Sequence, residues 1–170
     1  MLAVIELRVL TADDWALWRE LRLAALTEAP YAFASRLSDW QGEHDNEQRW
    51  RARLEMAGSY NLAAMIDGHP IGMASGVPTD EPATIELIAM WVNPKARGKG
   101  VGDRLVNEIA TWAEKIGAKI LRLGVAEGNP AAAELYRRNG FQDTGGIGDS
   151  MPDGVSRERR MEKQLRTSTG

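Results

Sequence analysis

The stretch Met90-Trp91-Val92-Asn93-Pro94-Lys95-Ala96-Arg97-Gly98-Lys99-Gly100-Val101-Gly102 constrains this chain more than any other. An apolar, β-prone run from Ile85 to Val92 leads into it. Asn93-Pro94 ends that run, because proline cannot donate to a sheet and turns the chain. An amphipathic helix pattern then begins near Gly102, with Leu105, Val106, Ile109, Trp112, Ala113 and Ile116 at helical spacing. A glycine-rich turn therefore joins a strand to a helix. Gly98, Gly100 and Gly102 lack Cβ atoms, so backbone N–H groups can converge there and an anion can approach closely. The helix N-terminus adds unpaired donors, and Arg97 and Lys99 add positive charge. The stretch reads as a phosphate cradle; the plainer alternative is a β-to-α turn that binds nothing.

Three phosphate ligands compete for such a cradle. A P-loop needs Gly-Lys-Ser/Thr, but Gly98-Lys99 is followed by Gly100, which argues against a nucleoside triphosphatase. The dinucleotide pattern G-x-G-x-x-G is matched at Gly100 and Gly102, with Leu105 in place of its third glycine and Glu127 near the expected position of a ribose-binding acid. That fingerprint follows its strand almost directly, whereas Asn93 to Arg97 intervene here, and only about 65 residues remain for the rest of a doubly wound fold. The third reading is Arg-Gly-x-Gly-x-Gly, spelled by Arg97 to Gly102.

A second stretch bears on the choice. Asn129-Pro130-Ala131-Ala132-Ala133-Glu134-Leu135-Tyr136-Arg137-Arg138-Asn139-Gly140-Phe141 follows another apolar run, Ile120 to Val125. Asn129 suits a helix N-cap, Pro130 the first helical position and Gly140 the C-terminal cap. Ala132 and Tyr136 then lie one turn apart on one face, in an ordinary capped helix or in a binding one.

The two stretches together resemble the pyrophosphate-binding motif and the second coenzyme-A motif of the GNAT superfamily, the acyl-coenzyme-A-dependent N-acetyltransferases. The resemblance covers about Ile85 to Phe141. It implies an α/β single domain: a mixed, mostly antiparallel central sheet, splayed at the cofactor site and flanked by helices. The Ile85–Val92 and Ile120–Val125 strands would part at their ends, and the acyl-pantetheine arm would enter the gap and pair with the backbone of Met90, Trp91 and Val92 like an added strand. A bulge or splay would supply the unpaired backbone groups. Arg97, Gly98, Lys99, Gly100, Val101 and Gly102 would hold the pyrophosphate, Asn129 would hydrogen-bond the pantetheine, and Ala132 would leave room for it.

Amine acetylation needs a neutral amine, a donor for the thioester oxygen and a proton for the departing thiolate. By the resemblance, Tyr136 is placed as proton donor; its ordinary pKa of about 10 keeps it protonated at neutral pH. A backbone N–H between Met90 and Val92 would polarise the carbonyl. Glu86 stands where the family often carries a strand glutamate acting through water; the plainer reading is a solvated strand carboxylate. In a regular strand Glu86, Ile88, Met90 and Val92 share one face. The resulting expectation is acetyl-coenzyme A as co-substrate, a primary amine as acceptor and direct attack in a ternary complex. A non-catalytic acyl-coenzyme-A-binding sensor on the same fold is the rival, since fold does not settle function.

Composition narrows the setting. At 170 residues, 44% hydrophobic and 26% charged, the chain has the makings of one soluble domain with a proper core. Residues 1–165 form the expected domain and 166–170 a tail. A net charge of −3 with dispersed basic residues argues against nucleic acid. No cysteine and two histidines, His44 and His69, argue against disulfides and a structural metal site. No apolar run has membrane-spanning length, and Leu2 to Val9 carries Glu6 and Arg8, unlike a signal peptide, so a cytoplasmic location is expected. The oligomeric state is open, a homodimer included. So is the acceptor: a protein amine, a polyamine, an amino acid or an amine-bearing antibiotic. Asp39, Glu43, Glu86 and Glu127 would suit a cationic acceptor if they line the groove.

The remaining elements follow from pattern. Val4 to Leu10 reads as a strand, and Thr11 caps a helix whose stripe is Trp15, Trp18, Leu21, Arg22 and Ala25. Ala32 to Asp45 is polar and mixed; Phe33, Ser35, Asp39 and Trp40 either line a groove or belong to a loop tied to the core by its aromatics. Asn46 caps a helix carrying Trp50, Leu54 and Met56. Tyr60–Ile66 and Ile71–Val77 form a hairpin across Asp67-Gly68. Phe141 to Thr144 reads as a strand, 145–154 as a flexible loop, and Ser156 to Leu165 as a final strand antiparallel to the one before.

Overall fold

The computed structural model describes residues 4–33 and 35–166. Of the tail expected at 166–170, all but Arg166 lies outside the described residues. Strands β1 (Ile5–Val9), β2 (Tyr60–Ile66), β3 (His69–Pro78), β4 (Thr84–Val92), β5 (Ile120–Ala126), β6 (Gln142–Ser150) and β7 (Arg157–Gln164) form one sheet in the order β1-β2-β3-β4-β5-β7-β6. Helices α1 (Trp15–Glu28) and α2 (Glu47–Leu54) cover one face; α3 (Val101–Lys115) and α4 (Pro130–Arg138) cover the other. Every strand pair is antiparallel except β4–β5. That parallel pair is short, matching Thr84–Glu86 with Ile120–Arg122, after which the strands diverge. The α/β fold with its splayed sheet is thus the one expected.

Alternation along the strands divides the core in two. On β2, Leu62 and Ala64 pack toward α3, while Ala63 and Met65 pack toward Trp18 and Leu21 of α1. The second cluster is anchored by Trp18 and Trp50, both fully buried. Trp40 stacks on Trp50 with ring centroids 4.4 Å apart and ties down the segment that carries it, and 3-10 turns lie at Pro30–Ala32, Leu37–Trp40 and Gly42–His44. On the other face the Trp112 ring stacks on Tyr60 and sits where a Cβ on Gly76 would come within 2.6 Å of it, so no larger residue fits at 76.

Local expectations hold with four corrections. Thr11 caps a 3-10 turn, Ala12–Asp14, and α1 itself starts at Trp15. Met56 lies past the end of α2 and Ile116 past the end of α3, and both are exposed. The glycine-rich segment read as a loop is strand β6 up to Ser150. Glycine is used there for close packing: a Cβ on Gly148 would stand 3.0 Å from that of Glu158 on β7. The last correction, the face occupied by Glu86, belongs to the site.

Asp45 joins three elements. It accepts hydrogen bonds from Arg19 Nε on α1 (2.8 Å) and Trp50 Nε1 on α2 (2.7 Å). The Arg19 bond foremost, then Trp50, hold its carboxyl down at about 2. A lowered folded-state pKa gives stability that is complete above the unfolded value near 4 and is lost as pH falls toward 2. Water screens this surface pair, so Asp45→Asn should cost about 1 kcal/mol, or roughly 2–4 °C, at pH 7. The variant should also lose stability less steeply between pH 4 and 2; a parallel acid profile in thermal unfolding would remove Asp45 from that role.

Candidate active site

The cradle is built as its glycines require. Asn93 Oδ1 accepts from the Lys95 N–H (3.0 Å), closing the turn after β4. Gly98 and Gly100 have φ of +79° and +82°, a region costly to residues with a Cβ, and Gly100 caps α3. A Cβ on either would meet nothing within 4 Å, so both border open space. Gly102 serves packing instead: a Cβ there would lie 3.1 Å from Leu135 and 3.3 Å from Met90, so glycine lets α3 approach α4 and β4. The acid in the first turn of α3, Asp103, is answered by Arg138 of α4 through bonds of 2.9 and 3.0 Å, and chiefly for that reason its pKa is lowered.

Where β4 and β5 part, a cavity of about 590 Å³ opens. Met90, Trp91 and Val92 line it from β4, Gly98 and Gly100 from the turn, Val101 and Gly102 from the start of α3, and Asn129, Ala132 and Tyr136 from α4 and its cap. Beyond Glu86, β4 pairs only with β3 among the described residues, which leaves the backbone edge of its last half open to the cleft. A bulge reinforces this: Ala89 has φ +55°, and the register with β3 slips between Met73 and Ser75. The bulge also reverses the alternation. Ile85 and Leu87 pack toward α3 before it, and Met90 and Val92 do so after it. Glu86 therefore lies on the opposite face from Met90 and Val92, contrary to the regular-strand expectation.

On that opposite face lies a second cavity of about 350 Å³. Glu86 and Glu158 line it, as do Arg22, Arg53 and Arg160. Phe33, Ser35 and Trp40 also line it, as the groove reading expected, whereas Asp39, Glu43 and Glu127 do not. Asp39 instead accepts from the Arg36 N–H (2.9 Å). Arg122 donates from Nε to Glu86 Oε1 (3.1 Å), so this carboxylate has a cationic neighbour. Of the four acids read as suiting a cationic acceptor if they line the groove, Glu86 alone lines this cavity, and Glu158 joins it there.

Tyr136 stands at the border of both cavities, together with Phe33, Met90 and Gly124. Its ring is buried, edge-on to Phe141 at 5.7 Å. Burial first, and the Glu158 charge second, hold its hydroxyl well above the ordinary tyrosine range, so it keeps its proton.

Some expected cofactor residues are placed differently from others. Arg97 lines the large cavity, but its Nη2 binds both Glu28 oxygens (3.0 and 3.2 Å) and its Nε donates to Val92 O (3.0 Å). Trp91 Nε1 donates to the same Glu28 (3.1 Å), so the Trp91 side chain is turned into the core and only its backbone can meet the cleft. Lys99 is exposed and does not line the cavity. Asn129 Oδ1 caps α4 through the Ala132 N–H (3.3 Å), leaving its amide donors for a ligand. Sequence reasoning missed Gly124, Glu158 and the arginines of the smaller cavity. Arg22 alone carried a signal, as a charge standing in the apolar stripe of α1.

Residues 16–141 match the Acetyltransferase (GNAT) family, so the chain belongs to the GNAT acetyltransferases and is an acyl-coenzyme-A-dependent transferase of that family. It is 36% identical over 118 residues to the uncharacterized N-acetyltransferase YhfO of Bacillus subtilis, covering 66% of this chain and 77% of that one. It is 31% identical over 92 residues to human N-acetylaspartate synthetase, covering 54% of this chain and spanning 30% of that relative. In three dimensions it is similar to yncA of Salmonella typhimurium, solved with its cofactor acetyl-CoA: TM-score 0.77, 22% identity, 99% of this chain and 98% of that one. No three His, Cys, Asp or Glu side chains among the described residues cluster as a metal site, and no described helix is long and apolar enough to cross a membrane.

Proposed function

We propose that the chain transfers the acetyl group of acetyl-coenzyme A to an amine by direct attack in a ternary complex. One observation carries this reading: a long cleft beside a glycine turn and a separate polar cavity meet at a protonated tyrosine, Tyr136. The cleft suits coenzyme A. Gly98 and Gly100 leave space for a pyrophosphate at the N-terminus of α3, and the open edge of β4 can pair with a pantetheine arm.

The chemistry then falls to this chain's groups. The neutral amine approaches from the smaller cavity and its nitrogen bonds to the acetyl carbon. A β4 N–H near the Ala89 bulge receives the oxygen as it becomes negative. As the carbon–sulfur bond breaks, Tyr136 gives its hydroxyl proton to the sulfur, and the proton shed by the nitrogen passes through water to Glu86. The products are the N-acetylated amine and free coenzyme A, and the proton balance closes when Glu86 returns its proton to Tyr136 through solvent.

A covalent acyl-enzyme would need an activated nucleophile, most naturally a thiolate. The chain has no cysteine. Initial-rate plots at varied acetyl-coenzyme A and several fixed acceptor levels should therefore intersect. Parallel lines, with an acetylated protein trapped when acceptor is withheld, would overturn direct transfer. Tight acetyl-coenzyme A binding without thiol release across an amine panel would instead support a sensor.

A further inference from the structure

Helix α1 carries a largely buried guanidinium, Arg22, with no ion-pair partner among the described residues. Arg22 Nη1 is buried and makes no hydrogen bond to any described residue. Its guanidinium lies 4.8 Å over the Phe33 ring. Beside it, Arg53 of α2 donates to Asn61 Oδ1 (3.0 Å) and Ser75 Oγ (3.1 Å) and lies 5.1 Å over Trp18. Neither arginine takes part in any ion pair among the described residues. Burial lowers both guanidinium groups to about 10, and the Arg53 charge adds to the effect on Arg22. Two largely buried like charges, neither ion-paired among the described residues, are costly to hold, and an incoming anion would relieve that cost.

Both arginines line the smaller cavity, with Arg160 on its sheet side. A guanidinium offers five donors in a planar fork that fits a carboxylate with two parallel bonds. Arg22 lies over the Phe33 ring, and Arg53 is held over Trp18 by its bonds to Asn61 and Ser75. The cavity also carries Glu86 and Glu158, groups suited to the amine end of the same molecule. We propose that the acceptor is a small amino acid, its carboxylate held by Arg22 beside Arg53 while its amine faces the thioester. The inference rests on the acetyl-transfer reading above and names its substrate class. A cavity of about 350 Å³ admits a molecule of that size.

The test follows thiol release from acetyl-coenzyme A with the common amino acids, their carboxamides and the matching aminoalkylphosphonates. At least one amino acid should exceed its carboxamide in kcat/KM by about a hundredfold, because the amide leaves the buried arginine unpaired. Arg22→Met should lower kcat/KM for that amino acid by about 30-fold and narrow the acid-to-amide ratio, and Arg22→Lys should recover part of it. Without acceptor, Arg22→Met should unfold at or above the wild-type temperature, since it removes an unpaired buried charge; an arginine serving structure would lose stability instead. A second readout is calorimetry of the coenzyme-A-loaded protein with N-acetyl amino acids, whose binding Arg22→Met should weaken to a similar degree. Equal turnover of acids and amides overturns the inference and leaves acetyl transfer standing. Preference for the phosphonates overturns the carboxylate as the anion. Carboxylate binding that depends on Arg22, with no turnover of any amine, removes the transfer reading and keeps the anion site; neither binding nor turnover removes both.

Discussion

Tyr136→Phe should lower turnover about 10²-fold while leaving acetyl-coenzyme A affinity nearly unchanged, the usual loss when a general acid is removed. The substitution is clean because the ring does the packing. It is buried edge-on to Phe141 at 5.7 Å, and phenylalanine keeps that contact. Only the hydroxyl of a residue that borders both cavities disappears. The raised pKa makes Tyr136 a weak acid toward water, but a thiolate leaving into a buried site is a strong base for it. The same shift has a stability consequence. Below pH 10 the folded and unfolded chains both keep this proton; above it the unfolded chain ionises first, so stability falls as pH rises. Tyr60, pushed up to about 12 by burial and by its bond to Glu108, acts in the same direction. Tyr136→Phe should thus flatten the alkaline fall in unfolding temperature as well as slow turnover. Wild-type turnover in the variant would show that the tyrosine only packs.

What could be read from the sequence, and what could not, divides along a physical line. The cradle and α4 were legible because their backbone demands are written in residue type. Left-handed φ at Gly98 and Gly100 calls for glycine, and the α4 start calls for Asn129-Pro130. The parting of β4 from β5 came with the resemblance, and the pairing of only Thr84–Glu86 with Ile120–Arg122 bears it out. The resemblance called for a bulge or a splay, but the place of the bulge did not show, because Ala89 takes φ +55° without a glycine to announce it. Period-2 counting therefore carried Glu86 to the wrong face. Glycine misled in the other direction along β6, where Gly148 permits close packing against Glu158 rather than disorder. The acceptor cavity was least legible of all. Its charged lining comes from α1, α2, β4 and β7, segments whose meeting depends on the whole sheet order.

Those lessons also sort the glycines of the cradle as targets. Gly102→Val would push into Leu135 and Met90, disturbing the packing of α3 on α4 and β4, so a loss of binding there would be ambiguous. Gly100→Val is the informative change. Its Cβ would meet no protein atom within 4 Å, so nothing in the core is displaced. The cost to the fold is the strain of a β-branched residue at φ +82°, on the order of 1–3 kcal/mol. The cost to binding should be larger, because the new side chain stands in the space that a pyrophosphate needs to reach the N–H groups at the start of α3. Acetyl-coenzyme A affinity should fall about a hundredfold or more, while S-acetylpantetheine, which lacks the pyrophosphate and the nucleotide, loses far less. Calorimetric titration of both ligands, alongside thermal unfolding to show that the variant stays folded, separates the two costs. Unchanged affinity for acetyl-coenzyme A in the folded variant would take the pyrophosphate away from this turn.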